Sequence, residues 1–254
     1  MSGLNVVLLG GDSESTWIVA NEIERDIGLD AIIIEGQDSR VRLLRRRAYR
    51  IGVWAAIGQA VFVIYSRLLE KYSKNRAVQI RVDNRWSLNP PENVPVHRVP
   101  SVNSDENLSV LRILAPKIIV VNGTRIISKR ILEGIGARFI NMHAGITPKY
   151  RGVHGAYWAL ANGDAENAGV TIHLVDAGID TGGILHQARI RPEPVDNFCT
   201  YPLLQLAAGI PLLKLAIREA LEGRLRVVTN GLSSRLYYHP TIWTYLKNRS
   251  RGVS

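Results

Sequence analysis

Cysteine is almost absent from this 254-residue chain. Cys199 stands alone, so no intramolecular disulfide can form and no cysteine-rich metal site can be built. That suits a reducing, cytoplasmic location. The N-terminal stretch MSGLNVVLLGG lacks the basic-then-apolar pattern of a signal peptide. Long apolar runs are missing too. The longest uncharged stretch, Ile51 to Ser66, is interrupted by Gly52, Gly58 and Gln59 and falls short of the ~20 residues needed to span a bilayer. There is no internal repeat and no low-complexity tract.

Apolar residues are plentiful, at 46%, which is enough for a sizeable core and argues against a disordered chain. The formal net charge is +10, a balance that attracts anions such as nucleotide sugars, nucleic acid, polyglutamates or a lipid surface without choosing among them. Short branched runs read as buried strands at Asn5 to Gly10, Asp30 to Glu35, Lys117 to Val121, Ala137 to Met142, Gly169 to Asp176 and Ile184 to Ile190. Helices are predicted from about Ser13 to Asp26, over Asp105 to Leu114, over Ser128 to Glu133, and from a Thr200 cap to about Leu221. Pro90, Pro91 and Pro95 mark a loop. The alternation implies an open, mostly parallel, Rossmann-like α/β sheet with ligands at the carboxyl ends of its strands. We expect a catalytic domain over residues 1–223, carrying a basic helical insert at about 38–74. A C-terminal extension, 224–254, is expected to pack on that domain.

Two stretches carry polar residues in an arrangement suited to chemistry. In Ala137-Arg-Phe-Ile-Asn-Met-His143, strand alternation points Asn141 and His143 the same way, at the carboxyl end of their strand. In the run from Gly169 to Gly183, a strand passes into a glycine-rich loop holding Asp176 and Asp180, where the backbone can approach a ligand closely. Each alone reads as an ordinary strand end or acidic turn.

Together, Asn141-Met-His-Ala-Gly-Ile-Thr-Pro-Lys-Tyr-Arg-Gly152, Tyr157-Trp-Ala-Leu160, Gly169-Val-Thr-Ile-His173 and Asp180-Thr-Gly182 resemble the signature of the folate-dependent formyltransferases. That family includes the sugar N-formyltransferases, glycinamide ribonucleotide formyltransferase and the catalytic domain of methionyl-tRNA formyltransferase. The resemblance implies the formyltransferase fold and an enzyme that uses 10-formyltetrahydrofolate as formyl donor. It implies catalytic roles for Asn141, His143 and Asp180: the first two as donors to a developing oxyanion, the third as a partner for His143 or a water. An aspartate beside an imidazole is expected to favour the protonated ring. Thr124, Arg125, Ile126 and Ile127 stand where the family has its pterin-side loop, and Asp176, Ala177, Gly178 and Ile179 where backbone grips the pterin. Gly145, Tyr150, Arg151 and His154 are expected on the acceptor side. His173 divides evenly between a core histidine and a site residue, and Cys199 reads as a core or cap-adjacent residue. No metal is implied.

Other features bear on the acceptor. Gly10-Gly-Asp-Ser-Glu-Ser-Thr16 replaces a phosphate loop, and Asp12 and Glu14 would repel a phosphate. After Leu221 only 33 residues remain, fewer than the C-terminal β-barrel of methionyl-tRNA formyltransferases requires. The leading expectation is therefore a small, anionic amine acceptor, most simply a nucleotide-linked amino sugar, with nucleic acid disfavoured. The alternatives are glycinamide ribonucleotide or methionyl-tRNA as acceptor, a formyltetrahydrofolate hydrolase, or a non-catalytic folate-binding protein. The basic insert is expected to be helical and to lie outside the catalytic cleft. It reads as a solvated face, then as a homodimer contact, then as a peripheral membrane contact.

Overall fold

A computed structural model gives the fold and describes residues 5–36 and 52–253. The front of the predicted insert, including Arg40 to Arg50, lies outside the described residues. Seven strands form one sheet: β1 (Val6–Gly11), β2 (Ala31–Glu35), β3 (Val96–Val99), β4 (Ile118–Asn122), β5 (Arg138–His143), β7 (Gly169–Leu174) and β8 (Ile184–Arg189). Their order is β3-β2-β1-β4-β5-β7-β8. The first five are parallel, and β7 and β8 add as antiparallel strands at one side. The sheet is thus mostly parallel, as expected, with an antiparallel flank that local sequence patterns do not reveal.

The parallel strands are apolar on both faces because helices cover both. Alternation divides them cleanly. Val6, Leu8, Ile32, Ile34, Ile118 and Val120 face α1 (Glu14–Asp26) and α7 (Tyr201–Leu221). Val7, Leu9, Ile33, Ile119 and Val121 face α4 (Asp105–Leu114) and α5 (Lys129–Gly134). Strand β3 is missing from the sequence-based expectation. It is only four residues long, mostly solvent-accessible and placed at the edge, so it carries little apolar signal.

The described part of the insert forms α2 (Val53–Tyr72) and α3 (Lys74–Asp83). Helix α2 is 20 residues long and apolar enough to cross a membrane by length and composition, which corrects the shorter run read from sequence. That reading stopped at the first charge, Arg67, whereas the helix continues through it. One side of α2 is packed. Phe62 meets Phe198 edge-on at 4.8 Å and Tyr245 at 5.0 Å between ring centroids. Helix α3 is anchored by a two-pronged ion pair, Arg76 Nε and Nη2 to the buried Asp196 carboxylate at 2.9 and 3.1 Å.

The C-terminal segment lies over the same aromatic cluster. Strand β9 (Leu236–Tyr237) pairs with β6 (Arg151–Gly152), and α8 (Ile242–Arg249) packs against α2. Between β6 and β7 runs the short α6 (Gly155–Ala161), whose Tyr157 is buried in the cluster.

Candidate active site

The carboxyl ends of β4 and β5 and the loop after β7 open onto a cavity of about 1360 Å³. Asn141, His143 and Asp180 all line it, brought together from two strands and a loop. So do Thr124, Arg125, Ile126, Ile127, Asp176, Gly178 and Ile179, whereas Ala177 of the same loop does not. Ile126 is 58% exposed, an apolar side chain held open toward the cavity rather than folded into the core.

Asn141 and His173 stand directly opposite each other on the antiparallel strands β5 and β7. Opposed residues share a face, so their side chains meet, with Asn141 Nδ2 3.0 Å from His173 Nε2. His173 Nδ1 lies 2.7 Å from the Leu174 carbonyl, which can only accept. In the neutral ring the proton therefore sits on Nδ1, and Nε2 accepts from the Asn141 amide. The same Nε2 is 3.6 Å from Asp180 Oδ1. His173 is thus buried at the centre of the constellation, linking Asn141 to Asp180.

His143 is turned differently from expectation. Its Nε2 donates to the Tyr150 carbonyl at 2.8 Å, and its Nδ1 lies 3.3 Å from Asp180 Oδ2. Gly145 makes room for this: a Cβ there would sit 2.3 Å from the Tyr150 oxygen and 2.8 Å from His143 Nε2. Burial pushes the His143 pKa below the usual histidine value, and the attraction of Asp180 does not offset it. The expected preference for a protonated ring is overturned by desolvation. Asp180 behaves in the opposite sense. Burial opposes its charge, but His173, His143 and the Gly152 N–H, which donates to Oδ2 at 2.9 Å, hold its pKa below the ordinary value.

The residues expected on the acceptor side are engaged with the protein's own framework. Tyr150 is 1% exposed and donates its hydroxyl to Asp164. Arg151 donates to the Ile179 carbonyl at 2.9 Å and so holds the Asp176–Asp180 loop. Gly145 and His154 are likewise absent from the residues lining the cavity. His154 bonds His239 at 2.9 Å, and it is His239 that reaches the lining. Arg125 is engaged too: its backbone N–H and guanidinium both bind the buried Glu35, fixing the loop rather than offering a free cation.

Several lining residues escaped the sequence reading. Gln59 of α2, Gln205 of α7 and Tyr238 and His239 of the C-terminal segment all border the cavity. Gln59 donates to the His239 carbonyl at 2.7 Å across 180 positions, so the insert does not lie wholly outside the cleft. No local signal could have shown this. The acidic turn after β1 is also changed by its neighbours: Asp12 pairs with Arg98 and Glu14 with Arg81, which reduces the repulsion expected there. Cys199 lies beside the start of α7, and burial pushes its thiol up to about 12. Among the described residues no group of three or more His, Cys, Asp or Glu is placed to hold a metal ion.

Similarity to known proteins agrees with this architecture. A methionyl-tRNA formyltransferase of Kosmotoga olearia is 32% identical over 145 residues, covering 57% of this chain and 46% of that protein. The chain thus spans less than half the length of that relative. Two solved structures share the fold. Glycinamide ribonucleotide transformylase 1 of Symbiobacterium toebii has a TM-score of 0.57 and 22% identity, over 91% of this chain and 92% of that one. An N-formyltransferase of Helicobacter canadensis, in complex with folinic acid and dTDP-3-aminofucose, has a TM-score of 0.55 and 18% identity, over 91% and 70%. The formyl transferase family model matches residues 60–200, a span holding Asn141, His143, His173 and Asp180 together, and the chain belongs to the formyl transferase family.

Proposed function

We propose that this protein transfers a formyl group from 10-formyltetrahydrofolate to a primary amine. The observation that carries the reading is the convergence of Asn141, His173, Asp180 and His143 on one cavity. The donor supplies an activated formyl carbon. Thr124 to Ile127 and the Asp176–Ile179 backbone would hold it, with Ile126 offering apolar surface to a flat ring.

The chemistry assigns the remaining roles. An amine attacks the formyl carbon, the bond from that carbon to the donor nitrogen breaks, and one proton passes from the amine to that nitrogen. Negative charge builds on the formyl oxygen in between. Asn141 has a second amide N–H beyond the one aimed at His173, and it is the donor for that oxygen. Nε2 of His173, released from the Asn141 amide as the ligands bind, is the acceptor for the amine proton, with Asp180 Oδ1 3.6 Å away. His143, committed through Nε2 to the Tyr150 carbonyl, sets its Nδ1 3.3 Å from Asp180 Oδ2.

Other lining residues favour one acceptor class. Gln59, Gln205, Tyr238 and His239 offer neutral hydrogen-bonding groups and an aromatic face, which suits a sugar and a base. The sugar-nucleotide complex of the Helicobacter canadensis neighbour supports a nucleotide-linked amino sugar as acceptor.

The test is a panel of nucleotide-linked 3-amino and 4-amino sugars incubated with protein and 10-formyltetrahydrofolate. A mass gain of one formyl group on one sugar is expected. Glycinamide ribonucleotide and methionyl-tRNA are parallel arms, and their formylation instead would reassign the acceptor. Tetrahydrofolate release without any amine would make the protein a hydrolase. Tight donor binding with no release in any arm would sink the transfer reading.

A further inference from the structure

Two segments far apart in the chain share an unusual composition. Ser39 to Leu69 and Gly223 to Ser254 contain thirteen of the chain's 32 lysines and arginines and none of its 22 acidic residues. Outside them acids outnumber bases, so these segments account for the positive net charge. Their described parts pack together, α2 against α8. Gly58 marks the close approach: a Cβ there would lie 3.1 Å from the Trp243 ring nitrogen.

The described parts of these segments also carry an apolar face. Trp54, Ile57, Val61, Ile64 and Leu68 recur at helical spacing along the outer side of α2, and Trp54, Ile64 and Leu68 are 83%, 64% and 61% exposed. Trp243 extends the face onto α8 at 64% exposed. Isolated exposed apolar residues are ordinary, but a stripe of five along one helix is not. Arg67 and Lys71 follow the stripe on α2, with Glu70 as the helix's one acid, and Lys247, Arg249 and Arg251 lie exposed on and just beyond α8.

We propose that this face docks on the surface of an anionic lipid bilayer. Apolar side chains and tryptophans flanked by bases are what a helix lying in the membrane interface requires. Crossing the bilayer would strip Phe62 from Phe198 and Tyr245 and Gln59 from His239, whereas lying flat keeps these contacts. A second copy would cover the apolar stripe equally well, but it would bring two basic faces together. Charge favours the anionic surface. Gln59 of the same helix lines the cavity from the packed side, opposite the exposed stripe, so α2 borders the candidate active site with one side and presents the docking face with the other. The inference does not rest on formyl transfer and is tested without it.

The experiment is co-sedimentation of the full chain with phosphatidylcholine vesicles, with and without phosphatidylglycerol. The protein is expected to sediment with the anionic vesicles and to detach as salt rises from about 0.1 M to about 1 M, where the screening length falls to ~3 Å. The variant Trp54→Asn/Ile64→Asn/Leu68→Asn keeps the net charge, so it separates insertion from simple attraction. Its affinity for anionic vesicles should fall by about tenfold or more. Tryptophan quenching by brominated phosphatidylglycerol in the unmodified protein reports insertion independently of how well the variant folds. Absent sedimentation would overturn the proposal, as would bound protein without quenching. So would a dimer by light scattering that the variant makes monomeric.

Discussion

The amide nitrogen of Asn141 lies 3.0 Å from Nε2 of His173, and the two residues face each other across the antiparallel pair β5 and β7. This contact fixes which face of the Asn141 amide points at its neighbour and which N–H remains for a ligand. If Asn141 supplies the oxyanion donor, Asn141→Ala should lower turnover on the order of 100- to 1,000-fold, with donor affinity little changed. Because the pair touches, its effects should not add. The Asn141→Ala/His173→Gln double variant should be scarcely slower than the worse single variant. Single-turnover rates of the three variants decide it. Fully multiplicative losses would mean that the residues act independently.

Asp180 has a backbone φ of 50°, in the left-handed region that few side chains tolerate. Aspartate and asparagine are among the exceptions, since their short polar groups bond locally. Asp180→Asn should therefore fold normally, lose the negative charge beside His173 and slow transfer by about 100-fold or more. Asp180→Ala should be slow as well, and additionally less stable by about 1 kcal/mol from backbone strain. Denaturant melts separate the two variants where activity does not. Equal stability would remove the strain argument.

The parallel half of the sheet was legible because its strands are buried on both faces and read as unbroken branched runs, as in Ala31–Glu35 and Ile118–Asn122. β3 was not, since an edge strand of sequence VHRV needs little apolar content. Helix α8 in the tail is not legible in its basic, aromatic sequence, although Thr241 caps it by accepting from the Thr244 N–H. Within the site, Asn141, His143 and Asp180 could be read from motif and resemblance. The place of His173 depends on an antiparallel register, and that of Gln59 on a contact 180 residues distant. Tyr150 and Arg151 were visible as motif residues, but whether a motif residue touches ligand or holds a loop is decided by packing.

His154 gives the fold a pH dependence. Burial, then the neighbouring His239, pushes its pKa down to about 3, from an unfolded value near 6.5. A lowered histidine pKa means the unfolded chain binds the extra proton first. Stability from this group is full above about 6.5 and is lost as pH falls toward 3, at no more than about 1.4 kcal/mol per pH unit. The shift at His143 has the same direction and adds to the loss. His154 also sits at φ 58°, so His154→Asn is the substitution that fits the backbone. Urea melts of the two proteins between pH 5 and pH 8, on the scale of the free histidine, should show a shallower slope for the variant. An unchanged slope would mean that His154 is protonated in the fold.

Gly152 joins the site to the C-terminal segment and admits no side chain. Its φ is 94°, and a Cβ would fall 2.1 Å from the Tyr237 carbonyl on the paired strand β9. Its N–H simultaneously holds Asp180. Gly152→Ala must therefore push β9 away, and with it Tyr238 and His239 from the cavity, while loosening the Asp180 carboxylate. The expected cost is about 2 kcal/mol or more in stability, combining left-handed strain with a clash against backbone. Trypsin should then cut faster at Arg224, Arg226 and Arg235, and transfer should fall together with acceptor affinity. By contrast, Ser234→Ala, exposed just before the same strand, keeps the backbone pairing and should leave both nearly intact. If Gly152→Ala matched Ser234→Ala in proteolysis and in rate, the pairing of β6 with β9 would have no part in building the site.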